Sequence, residues 1–264
     1  MSSAVAGARS LAGRYYSLAV VLAAWEALAR SGAVNPRLFP TLDAIGASLW
    51  TMVADGTLAT HLGATLLRVF AGFGLAAVAG VALGVVMARL PAVGRVVEPL
   101  FSFGYPVPRV ALYPVFVFLF GLGHLSKVAL IFLECLYPVA IHTYAGCRGV
   151  DRLYLWSAAA MGARPARVFA RVVLPAAAPA IFTGLRIALP VALVIAVLTE
   201  MIGSSRGLGW LLTYATAALS RPQVFAGVAA IAAVGFALDR LLVVARARLL
   251  PWEHEVPPIA VDAR

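Results

Sequence analysis

Residues 61–90 read HLGATLLRVF AGFGLAAVAG VALGVVMARL, with Arg68 and Arg89 as the only charged side chains in the stretch. About 20 apolar residues in a helix cross the hydrocarbon core of a bilayer, so this run is long enough to span one. Ala76, Gly80, Gly84 and Ala88 recur within it at four-residue intervals. Small residues at that spacing form a smooth ridge that lets a second helix approach closely, where lipid gives no hydrophobic drive for association. A lipid-facing helix with a few incidental glycines is the alternative; four small residues in register favour a packed interface.

The whole composition agrees with this segment. Of 264 residues, 62% are hydrophobic and 12% charged, against roughly 45–50% and ~25% in soluble domains. Mean hydropathy is +0.95. A water-soluble fold cannot hide that much apolar surface. An ordinary soluble enzyme, a disordered chain and a secreted disulfide scaffold are therefore excluded. Cys135 and Cys147 have no CxxC or metal-ligand spacing and read as small hydrophobes. The net charge of +10 comes from arginines set between apolar runs rather than along one polar face. It speaks for membrane topology and not for nucleic-acid binding.

Six spans are expected: 15–29, 61–90, 105–120, 127–145, 178–202 and 223–245. The first could instead be a signal peptide ending at Ala27-Leu28-Ala29, but Trp25 and Glu26 sit badly beside a cleavage site. Between the first two spans, Thr41 or Asp43 can cap a short helix with Leu42, Ile45, Leu49 and Met52 on one face. The third span holds Pro106, Pro108 and Pro114 and is expected to be kinked. With both termini cytoplasmic, the inner segments carry 15 of the 21 basic residues and the outer ones 6, as the positive-inside rule requires. The fold class is therefore an all-α, polytopic membrane helical bundle of six transmembrane helices. Residues 1–60 make an N-terminal helix and periplasmic link, 61–250 the core, and 251–264 a cytoplasmic tail. Trp25, Trp156, Trp210 and Trp252 fall at expected interfaces.

Residues 146–177 are too long and too patterned for a turn. An alanine-rich helix over 154–161 ends at Gly162, whose lack of Cβ suits a left-handed cap. Arg164, Arg167 and Arg171 then recur three and four apart on one face, and Pro175 is expected to stop this second helix before the fifth span. Such an element can rest on anionic headgroups or seat in a groove of a partner protein.

This loop resembles the conserved cytoplasmic loop of the permease subunits of bacterial ABC importers, E-A-A-x3-G-x9-I-x-L-P. Ser157 and Ala158 take the alanine places, Gly162 the glycine, Val172 the isoleucine and Leu174-Pro175 the final pair. Trp156 stands where the family has glutamate, so the polar part of the docking contact is altered. Leu67–Phe73 resembles the start of the permease core, and Tyr105–Pro114, Phe120–Lys127, Thr183–Arg186, Thr199–Met201 and Gly207–Gly209 are similar to the sulfonate/taurine/nitrate branch, in order over residues 60 to 245. The resemblance implies a type I importer fold in a bacterial inner membrane. It also implies cytoplasmic ATPases as partners, an external substrate-binding protein and a second, identical permease chain. The expected cargo is a small solute, an anion such as a sulfonate, taurine or nitrate. Trp156, Ser157, Ala158, Gly162, Arg164, Arg167, Val172, Leu174 and Pro175 are the expected ATPase-coupling residues. No GxxxxGK[ST] run exists, so ATP hydrolysis is expected on a separate subunit; no resident cofactor, metal or catalytic residue is expected, and ATP is bound by the partner.

Charged side chains within spans are costly and are functional candidates by default. Glu134 lies mid-run and can line a translocation path or pair with a neighbouring helix. Glu200, near the outer end of the fifth span, can face a gate or snorkel. Arg186 is expected to meet Glu98, Asp151 or an anionic substrate, and Asp239 and Arg240 to form interfacial ion pairs. With Pro108 and Pro114, residues Glu134, Arg186 and Glu200 make up the expected translocation path. His124 and His142 have no metal-ligand company and read as structural. Two rival functions are a gradient-driven transporter using Glu134 as a proton site, and a membrane enzyme. The first would show an inverted repeat and the second a cluster of His, Asp or Glu, and neither pattern is in the sequence.

Overall fold

A computed structural model of the chain describes residues 2–35, 38–104 and 107–252, with the side chains of 2–15 and 102 left aside. Among these residues every regular element is helical. In order they are α1 (Ser2–Arg30), α2 (Leu42–Ala54), α3 (Thr57–Arg89), α4 (Pro91–Gly104), a 3-10 turn (Arg109–Leu112), α5 (Tyr113–Phe120), α6 (His124–Arg148), α7 (Arg152–Ala160), α8 (Pro165–Val168), a π-turn (Phe169–Val173), α9 (Leu174–Gly203), α10 (Leu208–Ala217) and α11 (Arg221–Leu249). Four stretches are long and apolar enough to cross a membrane: 57–89, 124–148, 165–203 and 221–249. Most of the tail expected over 251–264, and Tyr105-Pro106 of the third span, lie outside the described residues.

The centre is a three-helix layer in which α6 packs along both α3 and α9. The small-residue ridge makes this possible. A Cβ on Gly72 would come within 2.6 Å of Ile131, one on Gly80 within 2.8 Å of Val139, and one on Gly84 within 2.5 Å of the Ala140 carbonyl. The ridge thus begins one turn earlier than expected, at Gly72, and Ala88 is only half-buried. From the other side, a Cβ on Gly184 of α9 would press on the Pro138 carbonyl of α6. Val69, Ala76, Leu130, Ile131, Val139, Ala188 and Ala192 fill the seam and are buried.

The short helix between the first two spans forms as expected. Thr41 is its N-cap and accepts from the Ala44 N–H at 3.4 Å. Ile45, Leu49 and Met52 pack with Leu211 and Ala226. The end of α1 is pinned there too: Trp25 stacks on Phe39 and donates to the Pro40 carbonyl at 3.1 Å, and Arg30 bridges Glu26 and Asp43.

Three expectations change. The third span is not one kinked helix over 105–120: residues 91–104 are already helical, and the chain breaks before resuming at 109–120. Leu90, before Pro91, is held extended (φ −116°, ψ 91°) where α3 gives way to α4, because a proline disfavours helical geometry in the residue before it, and Pro108 (φ −70°, ψ 90°) is the extended N-cap of the 3-10 turn. Pro175, second, does not stop a helix. It sits in the first turn of α9, and the Leu174 N–H reaches back five residues to Phe169. That wide turn accommodates a ring with no N–H, so 165–203 runs as one helix. Third, α10 forms between α9 and α11, where no helix is expected.

Candidate translocation and coupling sites

At one end of the bundle, α7 packs on α8 and the π-turn, the foot of the 165–203 stretch. Asp151 caps α7 by accepting from the Leu153 N–H at 2.8 Å. Gly162 closes it in the left-handed region (φ +74°), with the Ala163 N–H returning to the Ala158 carbonyl at 3.1 Å. Ala158 faces inward and is buried, whereas Leu153, Tyr154, Trp156 and Met161 point outward, Trp156 65% and Met161 80% exposed. This surface is inverted for a soluble helix, since the large apolar side chains are on the open side. Ser157, Arg164 and Arg167 are exposed, and Val172 and Pro175 are half-buried where the loop joins α9; Leu174 is 38% exposed. Arg164 is the N-cap of α8 with extended backbone, so it does not share a helical face with Arg167 and Arg171 as the spacing suggested. Arg89, over the Phe169 ring at 4.5 Å, ties the loop to the end of α3.

At the opposite end of α3 and α9, a network of polar side chains is enclosed. Arg68 Nη1 donates to Glu200 Oε1 at 2.6 Å and to the Arg206 carbonyl at 2.8 Å, and its Nε donates to His124 Nδ1 at 3.2 Å. Glu200 Oε2 accepts from Thr65 Oγ1 at 2.9 Å and from the Gly209 N–H at 3.0 Å. His61 Nδ1 accepts from the Gly207 N–H at 3.1 Å and stacks on Trp210. Gly207 (φ +128°) and Gly209 let the backbone close on the carboxylate: a Cβ on the first would overlap the carboxyl group itself, and one on the second the Val197 carbonyl. Next to it, Lys127 donates to the carbonyls of Leu122, Gly123 and Gly203 at 2.7, 3.1 and 2.8 Å. Glu200 and Lys127 are fully buried. Glu200 therefore does not snorkel; it anchors the start of α10 to α3.

Between these ends lies the break in the third span. Arg109, in the 3-10 turn, donates through Nε to Glu134 Oε2 at 3.0 Å, and its Nη2 lies 2.9 Å from the same oxygen. The guanidinium also sits 5.7 Å from the centre of the Tyr137 ring. A cavity of about 290 Å³ opens here, lined by Leu100, Phe101, Val107, Arg109, Leu133 and Tyr137 among others. Pro108 caps the 3-10 turn and Pro114 starts α5; they shape the break, and the cavity wall is made by their neighbours. Arg186 meets none of the partners expected for it. It pairs with Asp239 of α11, Nε to Oδ1 at 2.9 Å and Nη2 to Oδ2 at 3.4 Å, with Arg186 51% exposed.

The expected path residues thus fall into separate places: Glu134 at the break, Glu200 in the enclosed network, Arg186 on the α9–α11 surface. Arg109, Thr65, His61 and Lys127 were missed as partners. Arg109 falls within the span expected over 105–120. The only sequence signal for it was an uncompensated Glu134, a carboxylate deep in an apolar run that requires a cation somewhere. His124 is structural in a specific sense, as acceptor for Arg68, and the described residues hold no cluster of three metal-ligating side chains.

The family described as "Binding-protein-dependent transport system inner membrane component" matches residues 80–250. The chain is 36% identical to the taurine transport system permease protein TauC of Escherichia coli (strain K12), over 91% of this chain and 89% of that one. It is 31% identical to the putative aliphatic sulfonates transport permease protein SsuC of Bacillus subtilis (strain 168), over 89% and 86%. Among solved structures it superposes on an amino acid ABC transporter crystallised with histidines, with a TM-score of 0.60 at 18% identity, over 78% of this chain and 98% of that one.

Proposed function

The chain belongs to the family of binding-protein-dependent transport inner membrane components and is an ABC importer permease subunit, and we propose that its solute carries a sulfonate or a related small anionic head. ATP is hydrolysed on a separate subunit, and the family works with an extracytoplasmic binding protein. The names of the two relatives support the solute class. Family membership also sets aside the gradient-driven alternative.

The finer reading is this. Two identical chains of six spans each, with both termini in the cytoplasm, frame the path; α1 and the α4–α5 pair supply the two spans beyond the four long apolar stretches. The α7–α8 loop is the element the ATPase grips. The observation that carries this is the outward apolar face of α7, with Leu153, Trp156 and Met161 exposed. A partner groove that covers them gains roughly 1.5–3 kcal/mol per fully buried side chain. Trp156, in place of an acidic residue, makes the contact more apolar; Arg164 and Arg167 supply charge at its rim.

Co-purification of the ATPase with the full permease tests the grip. Trp156→Asp is expected to lower retained ATPase by about tenfold, the effect of a lost interface anchor, and Gly162→Pro to abolish solute-stimulated ATP hydrolysis. Retention of native ATPase binding and stimulation in both variants would remove α7 as the coupling element.

A further inference from the structure

We propose that Arg109 and Glu134 form a solute-recognition pair inside the translocation path, selecting a small zwitterion over a simple anion: Arg109 takes the anionic head and Glu134 the ammonium. The inference rests on the permease reading above and narrows its substrate class.

Depth is the first argument. Glu134 is ten residues into α6, about 15 Å from its first residue at ~1.5 Å per residue, near the middle of a 25-residue helix. Two ionic groups at that depth are costly, and where they persist they face protein or a polar cavity. The second is the backbone. Non-helical chain at membrane depth is tolerated where it is enclosed by protein or lines a cavity; Val107, before the extended Pro108, lines the cavity, and Arg109 opens the 3-10 turn that follows. Such broken helices are where a path can place backbone and side-chain polar groups against cargo.

The pair is also only partly enclosed. Side-chain exposure is 19% for Arg109 and 11% for Glu134, whereas the Arg68–Glu200 pair is at 4% and 0%. Both Arg109 contacts converge on one oxygen, Oε2; Oε1 is left for another donor. One turn on, Pro138 has no N–H to give to the Glu134 carbonyl, which adds a second acceptor at the same residue. On the guanidinium side, an anionic head can be held by two parallel N–H donors. The remaining wall, with Leu100, Phe101, Leu133 and Tyr137, is apolar and suits a short carbon chain.

Charge balance then chooses the ligand. Arg109 and Glu134 sum to zero, and so does a zwitterion. Arg109 lines the cavity and Glu134 stands behind it, so a monoanion that drew Arg109 away would leave Glu134 with no cation, and an unpaired carboxylate at this depth is disfavoured. The site therefore selects against simple anions by leaving one of its own charges unpaired.

The full chain in lipid nanodiscs, without ATPase or binding protein, allows a direct test with two probes that differ by one ammonium group: taurine and ethanesulfonate. Native protein is expected to bind taurine at least about tenfold more tightly, a tenfold ratio being the usual consequence of one charge-assisted contact. Glu134→Gln should bring the two probes within about twofold of each other, Glu134→Asp should keep the preference, and Arg109→Gln should weaken both. A native chain that fails to favour taurine overturns the inference, and so does a preference that survives Glu134→Gln in a variant with native size-exclusion behaviour. The assay contains no ATPase, so its outcome is independent of the co-purification experiment on α7.

Discussion

Two arginine–glutamate pairs lie within the same helical bundle and behave as different objects. Arg68–Glu200 joins α3 to the end of α9, is shut away from all solvent, and has every strong acceptor taken: Thr65, Arg68 and the Gly209 N–H converge on one carboxylate. Arg109–Glu134 sits at the break in the third span, borders a cavity, and uses one carboxylate oxygen for both contacts. The first is a clasp, since its polar groups are satisfied by the protein alone. The second is satisfied only in part and has room beside it. Saturation, more than charge or depth, separates a structural pair from one available to cargo.

Breaking the clasp is expected to have the largest effect. Glu200→Ala strands Arg68 in a closed site, and loss of one partner of a buried ion pair costs roughly 3–5 kcal/mol; the melting temperature of the detergent-solubilised protein should fall accordingly. A melt within a degree or two of native would mean that the carboxylate is not the anchor. Gly207→Ala comes next. It puts a methyl group on the carboxylate and a side chain at φ +128°, for an expected loss of about 1–3 kcal/mol. The seam gives a third measure: Gly84→Val at the α3–α6 contact should cost about 1–3 kcal/mol by overpacking. Glu134→Gln sharpens the contrast from the other side. Its stability change should be smaller, about 1–2 kcal/mol, because glutamine still offers an oxygen to accept from Arg109 and the pair is only partly enclosed. A loss as large as that of Glu200→Ala would place both pairs in the same class.

What could be read in the sequence follows a simple physical line. Local patterns were legible: the α3 ridge, the Thr41 cap and the left-handed Gly162 each depend on residues within a few positions of one another. Pairings across the bundle were not. Arg68 meets Glu200 132 residues away and Arg186 meets Asp239 53 residues away, and no periodicity encodes such distances. The third span misled because an apolar run with three prolines reads as one kinked helix, whereas Pro108 caps the 3-10 turn and Pro114 starts α5. That error also hid Arg109, which lies near the start of the expected span and meets Glu134 in the bundle interior. Of the residues assigned to a path by sequence, only Glu134 borders a described cavity through its partner.

The wide turn at 169–173 has a mechanical corollary. Because Pro175 is absorbed there, Pro165–Gly203 is a single shaft of 39 residues, about 58 Å long at ~1.5 Å per residue. Its foot lies beside the α7 surface and its head holds Glu200. Motion at the foot reaches Glu200 along one continuous helix, whose give is confined to the π-turn at 169–173 and to Pro179 and Pro190, each of which leaves a carbonyl without its helical donor.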